Sequence, residues 1–293
     1  MKLFRRLLVV AVGIVAPYTQ AAVDASKPEW TFERYQAAMT ESGRKPGIDK
    51  KTFDEAQLRK QEARKIVEAY LKERLGKADP AVLRAFDELP REYFHYHYQD
   101  NRSFASVAYE NEREKVKPWA IGYGSALSDY LGQAYMTQLA EPTPEKISLE
   151  IGTGSGYQSS LLSRIVKKSY SIEIIQPLGE AVGKIYKPLG YDNVETRVGD
   201  GFYGWPEVKG GFDIILVTCT AQFVPPALLE QLKPGGRLLI PVGQPLKKHA
   251  QALYIYTKDA QGRVHSKKDI GMNFIPMTGA IQKQPLPAGA PTN

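Results

Sequence analysis

One stretch of the chain has residue types and a spacing that could do chemistry: LEIGTGSGYQ, residues 149–158. Gly152, Gly154 and Gly156 fall within five positions directly behind an apolar run. A backbone so free of side chains lies against a ligand, or else merely shapes a turn. The spacing sorts the ligands. A dinucleotide-binding loop reads G-x-G-x-x-G, and here the sixth position is Tyr157; a Walker loop needs Gly-Lys-Ser/Thr, and no lysine is present. Neither a pyrophosphate nor a nucleoside triphosphate is well served. Glu150, two residues before the first glycine, repels phosphate and suits a cation. Glu173 lies 23 residues further on, where a carboxylate can accept both hydroxyls of a ribose. Asp200–Gly201 offers a carboxylate and a backbone N–H to an adenine edge. S-adenosylmethionine (SAM) carries an ammonium and a sulfonium and no phosphate, so it fits this set. The expected cofactor site is Glu150, Gly152, Thr153, Gly154, Ser155, Gly156, Tyr157, Gln158, Glu173, Asp200, Gly201 and Thr218.

The elements that must position these residues are legible from residue 147 onward. ISLEIG (147–152) reads as a strand feeding the glycine turn, and 157–166 as a helix. Strands are expected at 168–175, 193–201, 212–218, 236–243 and 250–258, and helices at 177–189 and 225–232. This alternation predicts an α/β, doubly wound and mostly parallel sheet, Rossmann-like, in which ligands bind at the carboxyl ends of the strands. Upstream, residues 53–75 read as a helix with a stripe of Leu58, Ile66, Tyr70 and Leu75. ADPAVLRAFDELP follows, with Asp79 as N-cap, Pro80 at the first helical position, and Val82, Leu83 and Phe86 facing inward. Residues 23–50 are polar and read as a linker or a loosely held arm, and 91–120 as aromatic and loop-like.

The first 22 residues have a basic start (Lys2, Arg5, Arg6), an apolar run from Leu7 to Ala16, then Pro17 and the small pair Ala21–Ala22. This pattern predicts a secretory signal peptide and an exported, periplasmic protein. The run is too short to span a bilayer, so no stable membrane insertion is expected after cleavage. The formal charge of +7 falls to +4 once the three cations leave. That mild, dispersed charge argues against a nucleic-acid partner, and RKQEARK (59–65) reads as a solvated helix face. The single cysteine, Cys219, makes no disulfide framework and reads as a small buried residue at a strand end. His95 and His97 form a candidate metal pair with no third ligand nearby, so packing or surface roles are expected. The expected organisation is a signal peptide (1–22), an arm and helices (23–120), a methyltransferase domain (121–281) and a disordered tail (282–293).

Several segments resemble the protein-L-isoaspartate O-methyltransferases: LEIGTGSGYQSSLLSRIVKKSYSIEI, NVETRVGDGFYGW, FDIILVT and LLIPVG. DPAVLRAFDELPREYF is similar to that family's N-terminal helix and "VPRE-F" signature, and FIPMTG to its "FVPL-G". The resemblance runs from about Asp79 to Thr278. It implies transfer of a methyl group from SAM to the free α-carboxylate of isoaspartyl residues in damaged proteins or peptides. The acceptor loop of the family reads roughly I-G-x-G-Q-T-I-S-x-P, and the aligned stretch is IGYGSALSDY, Ile121 to Tyr130. Gly122, Gly124 and Ser128 are kept, and the resemblance gives Ser128 the place of the active-site serine. Ser125, Ala126, Leu127 and Tyr130 stand where the family has Gln, Thr, Ile and Pro. A carboxylate acceptor is already ionised at pH 7, since its pKa is about 4, so no general base is required. Two other functions stay open at this point: a methyltransferase with another acceptor, and an exported binding protein that keeps the fold without catalysis.

Overall fold

The structure is a computed structural model describing residues 29–114, 117–244 and 250–285. The expected signal peptide, His249 and residues 286–293 of the tail lie outside the described residues. The chain divides into Met1–Trp30 and Thr31–Asn293. Of the first unit only Glu29 and Trp30 are described, both irregular. The second unit carries all that follows.

It begins with α1 (Phe32–Glu41), α2 (Lys50–Leu75), α3 (Pro80–Glu88) and the single turn α4 (Arg91–Phe94). Two small hairpins come next: β1 (Tyr96–His97) with β2 (Arg102–Ser103), and β3 (Trp119–Gly122) with β4 (Ser125–Leu127). Then α5 (Tyr130–Leu139) leads into β5 (Ile147–Ile151), α6 (Tyr157–Ser163), β6 (Lys168–Glu173), α7 (Gln176–Val182), β7 (Val194–Val198), β8 (Phe212–Val217), α8 (Pro226–Glu230), β9 (Leu232–Gly243), β10 (Gln251–Lys258) and β11 (Val264–Gly271).

The main sheet runs β11-β10-β9-β8-β5-β6-β7. β5 to β9 are parallel, and β10 and β11 are antiparallel additions. The chain leaves β5 toward β6 and β7, then crosses back to β8 on the other side of β5. That reversal opens a crevice at the carboxyl ends of β5, β6 and β8. Both faces of the central strands are covered, which is why β8 reads as a continuous apolar run: Phe212, Ile214, Ile215, Leu216 and Val217 have no exposed surface. Among the described residues no helix is long and apolar enough to cross a membrane.

Three expectations change. The arm of residues 23–50 contains α1, capped by Thr31 Oγ1 accepting from Arg34 N, with Tyr35, Ala38 and Met39 buried. Aromatic contacts of Phe32 and Tyr35 with Phe53 hold α1 against α2, which a polar composition does not reveal. In α2 the buried stripe is Phe53, Ala56, Ala63, Val67 and Leu71, and Leu58 is 65% exposed. Two alanines on that face let the helix sit close, and Leu58 is left on the outside of the turn. Finally β11 was not foreseen, because its segment VHSKKDIG is mostly solvent-exposed and shows no apolar alternation. Asp259 makes its hairpin: Oδ1 accepts from Gln261 N and Arg263 N. The inward face of α3 and the capping by Asp79, which accepts from Ala81 N at 2.8 Å, are as expected.

Candidate functional site

The glycine turn is shaped by its neighbours on both sides. Gly152 has φ +98°, and a Cβ there would lie 2.8 Å from Thr218 Oγ1. Thr218 follows β8 and donates its hydroxyl to the carbonyls of Ile151 (3.0 Å) and Gly152 (2.7 Å), bolting the end of β5 to the end of β8. Gly156 caps α6 at φ +81°, where a Cβ would press on Ile185 and Tyr186 at 2.7 Å. Glycine is therefore required at both positions.

Two carboxylates face this turn. Glu173 Oε2 accepts from Gly154 N at 2.8 Å and its Oε1 from Ile175 N at 3.1 Å; burial pushes its carboxyl up. Glu150 is 1% exposed, and burial raises it to about 8, against the lowering hydrogen bond from Ser171. Thr153 Oγ1 lies 2.7 Å from Ser171 Oγ, which donates to Glu150 Oε2 at 2.7 Å, so Thr153 is the donor in the first link.

Glu150, Gly152, Thr153, Gly154, Ser155, Gln158, Glu173, Gly201 and Thr218 line one cavity of about 800 Å³. Gly156, Tyr157 and Asp200 stand outside it. The Tyr157 ring packs edge-on against Phe94 and lies 4.7 Å from the guanidinium of Arg91. Asp200 accepts from Phe202 N (2.9 Å) and from Ala280 N (2.7 Å), clasping the segment after β11 to the end of β7. At that strand end Gly201, whose Cβ would collide with Ile151, is the residue that reaches the cavity. The Gln158 amide donates to the buried Thr137 Oγ1 at 2.8 Å, tying α6 to α5.

The other end of the cavity begins at Ser125 and Ala126, whose Oγ and carbonyl lie 3.8 and 3.9 Å from a Cβ built on Gly154, and runs through Leu127 to Ser128, from the β3–β4 hairpin into α5. The Ser128 hydroxyl has no hydrogen-bond partner among the described residues. Its carbonyl accepts from Arg91 Nη2 at 2.8 Å. Arg91 has no exposed surface; it also donates to Ala108 O (3.2 Å) and Gln133 Oε1 (2.7 Å) and lies 3.6 Å from Glu112 Oε1. The other oxygen of Glu112 accepts from Tyr130 N (2.5 Å) and Leu131 N (3.2 Å), while Asp129 Oδ1 accepts from Gly132 N (2.6 Å). Both carboxylates answer the unpaired N–H groups at the start of α5. Burial raises Glu112 to about 8 despite the lowering influence of Arg91. Tyr130, a departure from the acceptor-loop pattern, is buried and donates to Glu110 O at 2.9 Å, outside the cavity lining.

Sequence reasoning missed much of this end. Arg91 and Glu112 lie in a segment that reads as loop-like; the PRE of the signature, residues 90–92, signals Arg91 and not Glu112. Tyr70, Glu73 and Arg74 of α2 and residues 270–278 after β10 also line the cavity. The FIPMTG stretch was the signal for the latter. His95 is buried against Trp119, with ring centroids 5.9 Å apart, and His97 Nδ1 accepts from Asp100 N at 3.1 Å. Among the described residues no group of three metal-ligating side chains occurs. Cys219 is buried just after β8, and burial pushes its thiol up.

Charge is distributed unevenly along the cavity. Its arginines, Arg74 and Arg113, lie at the mouth; the glycine end holds Glu150 and Glu173 and no lysine or arginine.

A sequence profile described as protein-L-isoaspartate(D-aspartate) O-methyltransferase matches residues 61–282. The chain is 44% identical over 209 residues to a protein named protein-L-isoaspartate O-methyltransferase 2 of Syntrophobacter fumaroxidans, covering 71% of this chain and 79% of that one. It is 49% identical over 163 residues to protein-L-isoaspartate O-methyltransferase 1 of Nitrosospira multiformis, covering 55% and 67%. Among solved structures, one titled protein-L-isoaspartate O-methyltransferase has a TM-score of 0.64 at 26% identity, covering 76% of this chain and 67% of that one. A putative enzyme of that name from Plasmodium falciparum, in complex with S-adenosylhomocysteine, shares the fold, with a TM-score of 0.58 at 20% identity over 73% of this chain and 97% of that one.

Proposed function

The chain belongs to the protein-L-isoaspartate(D-aspartate) O-methyltransferase family, and from that premise we propose that it methylates the free carboxylate of L-isoaspartyl residues in damaged proteins or peptides, using SAM. The observation that carries the reading is that the glycine turn and Ser128 line the same cavity.

The residues at the glycine end fit this cofactor. The absence of basic side chains in that part of the lining disfavours phosphate, and a bound cation would draw the two buried carboxyls toward their ionised form, in which they accept its hydroxyls. Glu173 would hold the ribose hydroxyls, Gly152 and Gly154 would let the backbone approach, and Gly201 would offer its backbone to the base. Bound there, SAM supplies a methyl group activated by a sulfonium.

This chain's own residues then have three tasks. Ser128 holds the acceptor carboxylate through its uncommitted hydroxyl. Arg91 and Glu112 hold Ser128 and the start of α5 in place; they are positioning residues. The apolar lining, with Met277, Leu127 and Ile151, keeps water from two opposite charges that are lost together in the reaction. The acceptor arrives ionised, so no side chain is asked to remove a proton. The burial of Tyr130 favours the isoaspartyl reading over another acceptor, because this departure from the family pattern is taken up in packing.

The test is methyl-ester formation from labelled SAM on an isoaspartyl peptide. Ester well above that on the aspartyl isomer supports the proposal. No ester, with S-adenosylhomocysteine still bound, points instead to a binding protein or another acceptor. We also propose that the protein is exported through its first 22 residues. N-terminal sequencing of the mature protein from fractionated cells should then begin near Val23, and an intact Met1 in the cytosol would overturn this.

A further inference from the structure

The mouth of the cavity carries cations in an arrangement that the reaction itself does not use. The last turn of α2 and the loop before β3 converge there. Arg74 and Arg113 place their guanidinium carbons 5.5 and 5.8 Å from the centre of the Tyr70 ring, and all three residues line the cavity that Ser128 also lines. Tyr70 is itself fixed edge-on against Tyr135, at 6.2 Å, and Tyr135 donates to Asp269 at 2.6 Å. The platform is therefore anchored to α5 and β11.

The charged groups around it are not equivalent. Arg113 Nη2 is paired with Glu73 at 2.9 Å. Asp129 is engaged by the backbone of α5, Asp269 accepts from Tyr135, and Glu112 is buried beneath Arg91. Among the described residues Arg74 has no carboxylate partner. Its exposed neighbours on α2 do: Lys72 pairs with Glu68, and Lys65 with Glu62. The groups around the platform are three arginines and four acidic side chains, so their formal charge supplies no long-range attraction for an anion. What remains is one exposed guanidinium, steadied on a tyrosine in the lining of the cavity. A planar fork of donors so placed takes a carboxylate in two parallel hydrogen bonds.

We propose that Arg74 receives a second carboxylate of the acceptor polypeptide, so that this residue sets a preference for acidic sequence beside the methylated residue. The inference rests on the acceptor class proposed above. The second carboxylate is either an acidic side chain or the chain's own C-terminus, which share this chemistry.

The experiment uses isoaspartyl peptides of one length whose neighbouring residue is Glu, Gln or Lys, each with a free or an amidated C-terminus. Turnover is measured with the full chain, and binding by anisotropy of the same peptides carrying a fluorophore. KM and Kd for the Glu peptide should be about three- to tenfold below those for the Gln peptide, with kcat nearly equal. If the terminus is the partner, the free-versus-amidated pair shows that difference instead. Arg74→Ala should abolish the discrimination and Arg74→Glu reverse it toward the Lys peptide. Arg74→Lys keeps a cation at the helix end but should lose most of the preference. S-adenosylhomocysteine binding confirms that each variant is folded. Equal constants for all peptides in the wild type, or a preference that survives Arg74→Ala, overturns the proposal. If no peptide is methylated, the acceptor reading fails, and the binding arm still decides for or against Arg74.

Discussion

The two ends of the cavity are built differently. The glycine end is made of strand ends adjacent in the sheet, and its groups are held by bonds between those neighbouring ends: Glu173 to Gly154 and Ile175, Thr218 to Ile151 and Gly152. The Ser128 end is assembled across the chain, with one buried guanidinium joining Ala108, Ser128, Gln133 and Glu112. Binding and stability should therefore be separable at the first end and coupled at the second.

The largest expected effect lies at the coupled end. Arg91→Ala leaves the acceptors Ala108 O, Gln133 Oε1 and Ser128 O without a donor, each worth about 1–3 kcal/mol, so it should cost about 3–5 kcal/mol of stability. Urea unfolding measures it, and a loss under 1 kcal/mol would show that the guanidinium is not the tie described here. Next is the contrast between Ser128→Ala and Glu173→Gln. Loss of the serine hydroxyl should lower kcat/KM on an isoaspartyl peptide about ten- to a hundredfold while S-adenosylhomocysteine affinity holds. Glu173→Gln should weaken that affinity about tenfold with little change in the urea midpoint. Equal effects of both substitutions on both readouts would erase the distinction between the ends.

A feature common to both ends gives the third prediction. Glu150 and Glu112 are each raised by burial to about 8 from an ordinary carboxyl value. A raised acid holds its proton in the native state after the unfolded chain has released it. Stability then falls as pH rises from about 4.5 through about 8. Glu150→Gln and Glu112→Gln should each flatten that fall, gaining on the wild type at pH 9 relative to pH 6 in urea midpoints. A constant offset at both pH values would contradict the shift. The smallest effect is at Leu58, where Gln should change stability by less than about 0.5 kcal/mol, because the side chain is outside the packed face of α2.

Leu58 also marks a limit of what the sequence makes legible. The parallel core was legible because strands buried on both faces are continuous apolar runs, and the glycine end because its residues are consecutive or sit at successive strand ends. Asp200 shows the limit even there: its position at a strand end is as expected, but its carboxylate is engaged by Phe202 and Ala280. The stripe of α2 was misplaced because alanine, a weak signal in sequence, forms the close contact. Glu112 was invisible for another reason, and Arg91 showed only through the PRE of its signature. Their roles come from partners tens of residues away, and no spacing records such a partnership.

The claim that both ends serve one reaction is tested most directly by a crystal structure with S-adenosylhomocysteine and an isoaspartyl peptide bound together. The thioether compound should lie against the Gly152–Gly156 turn with its ribose on Glu173, and the peptide carboxylate within hydrogen-bonding reach of Ser128 Oγ, facing the sulfur. A peptide carboxylate seated elsewhere, with Ser128 still uncommitted, would contradict it.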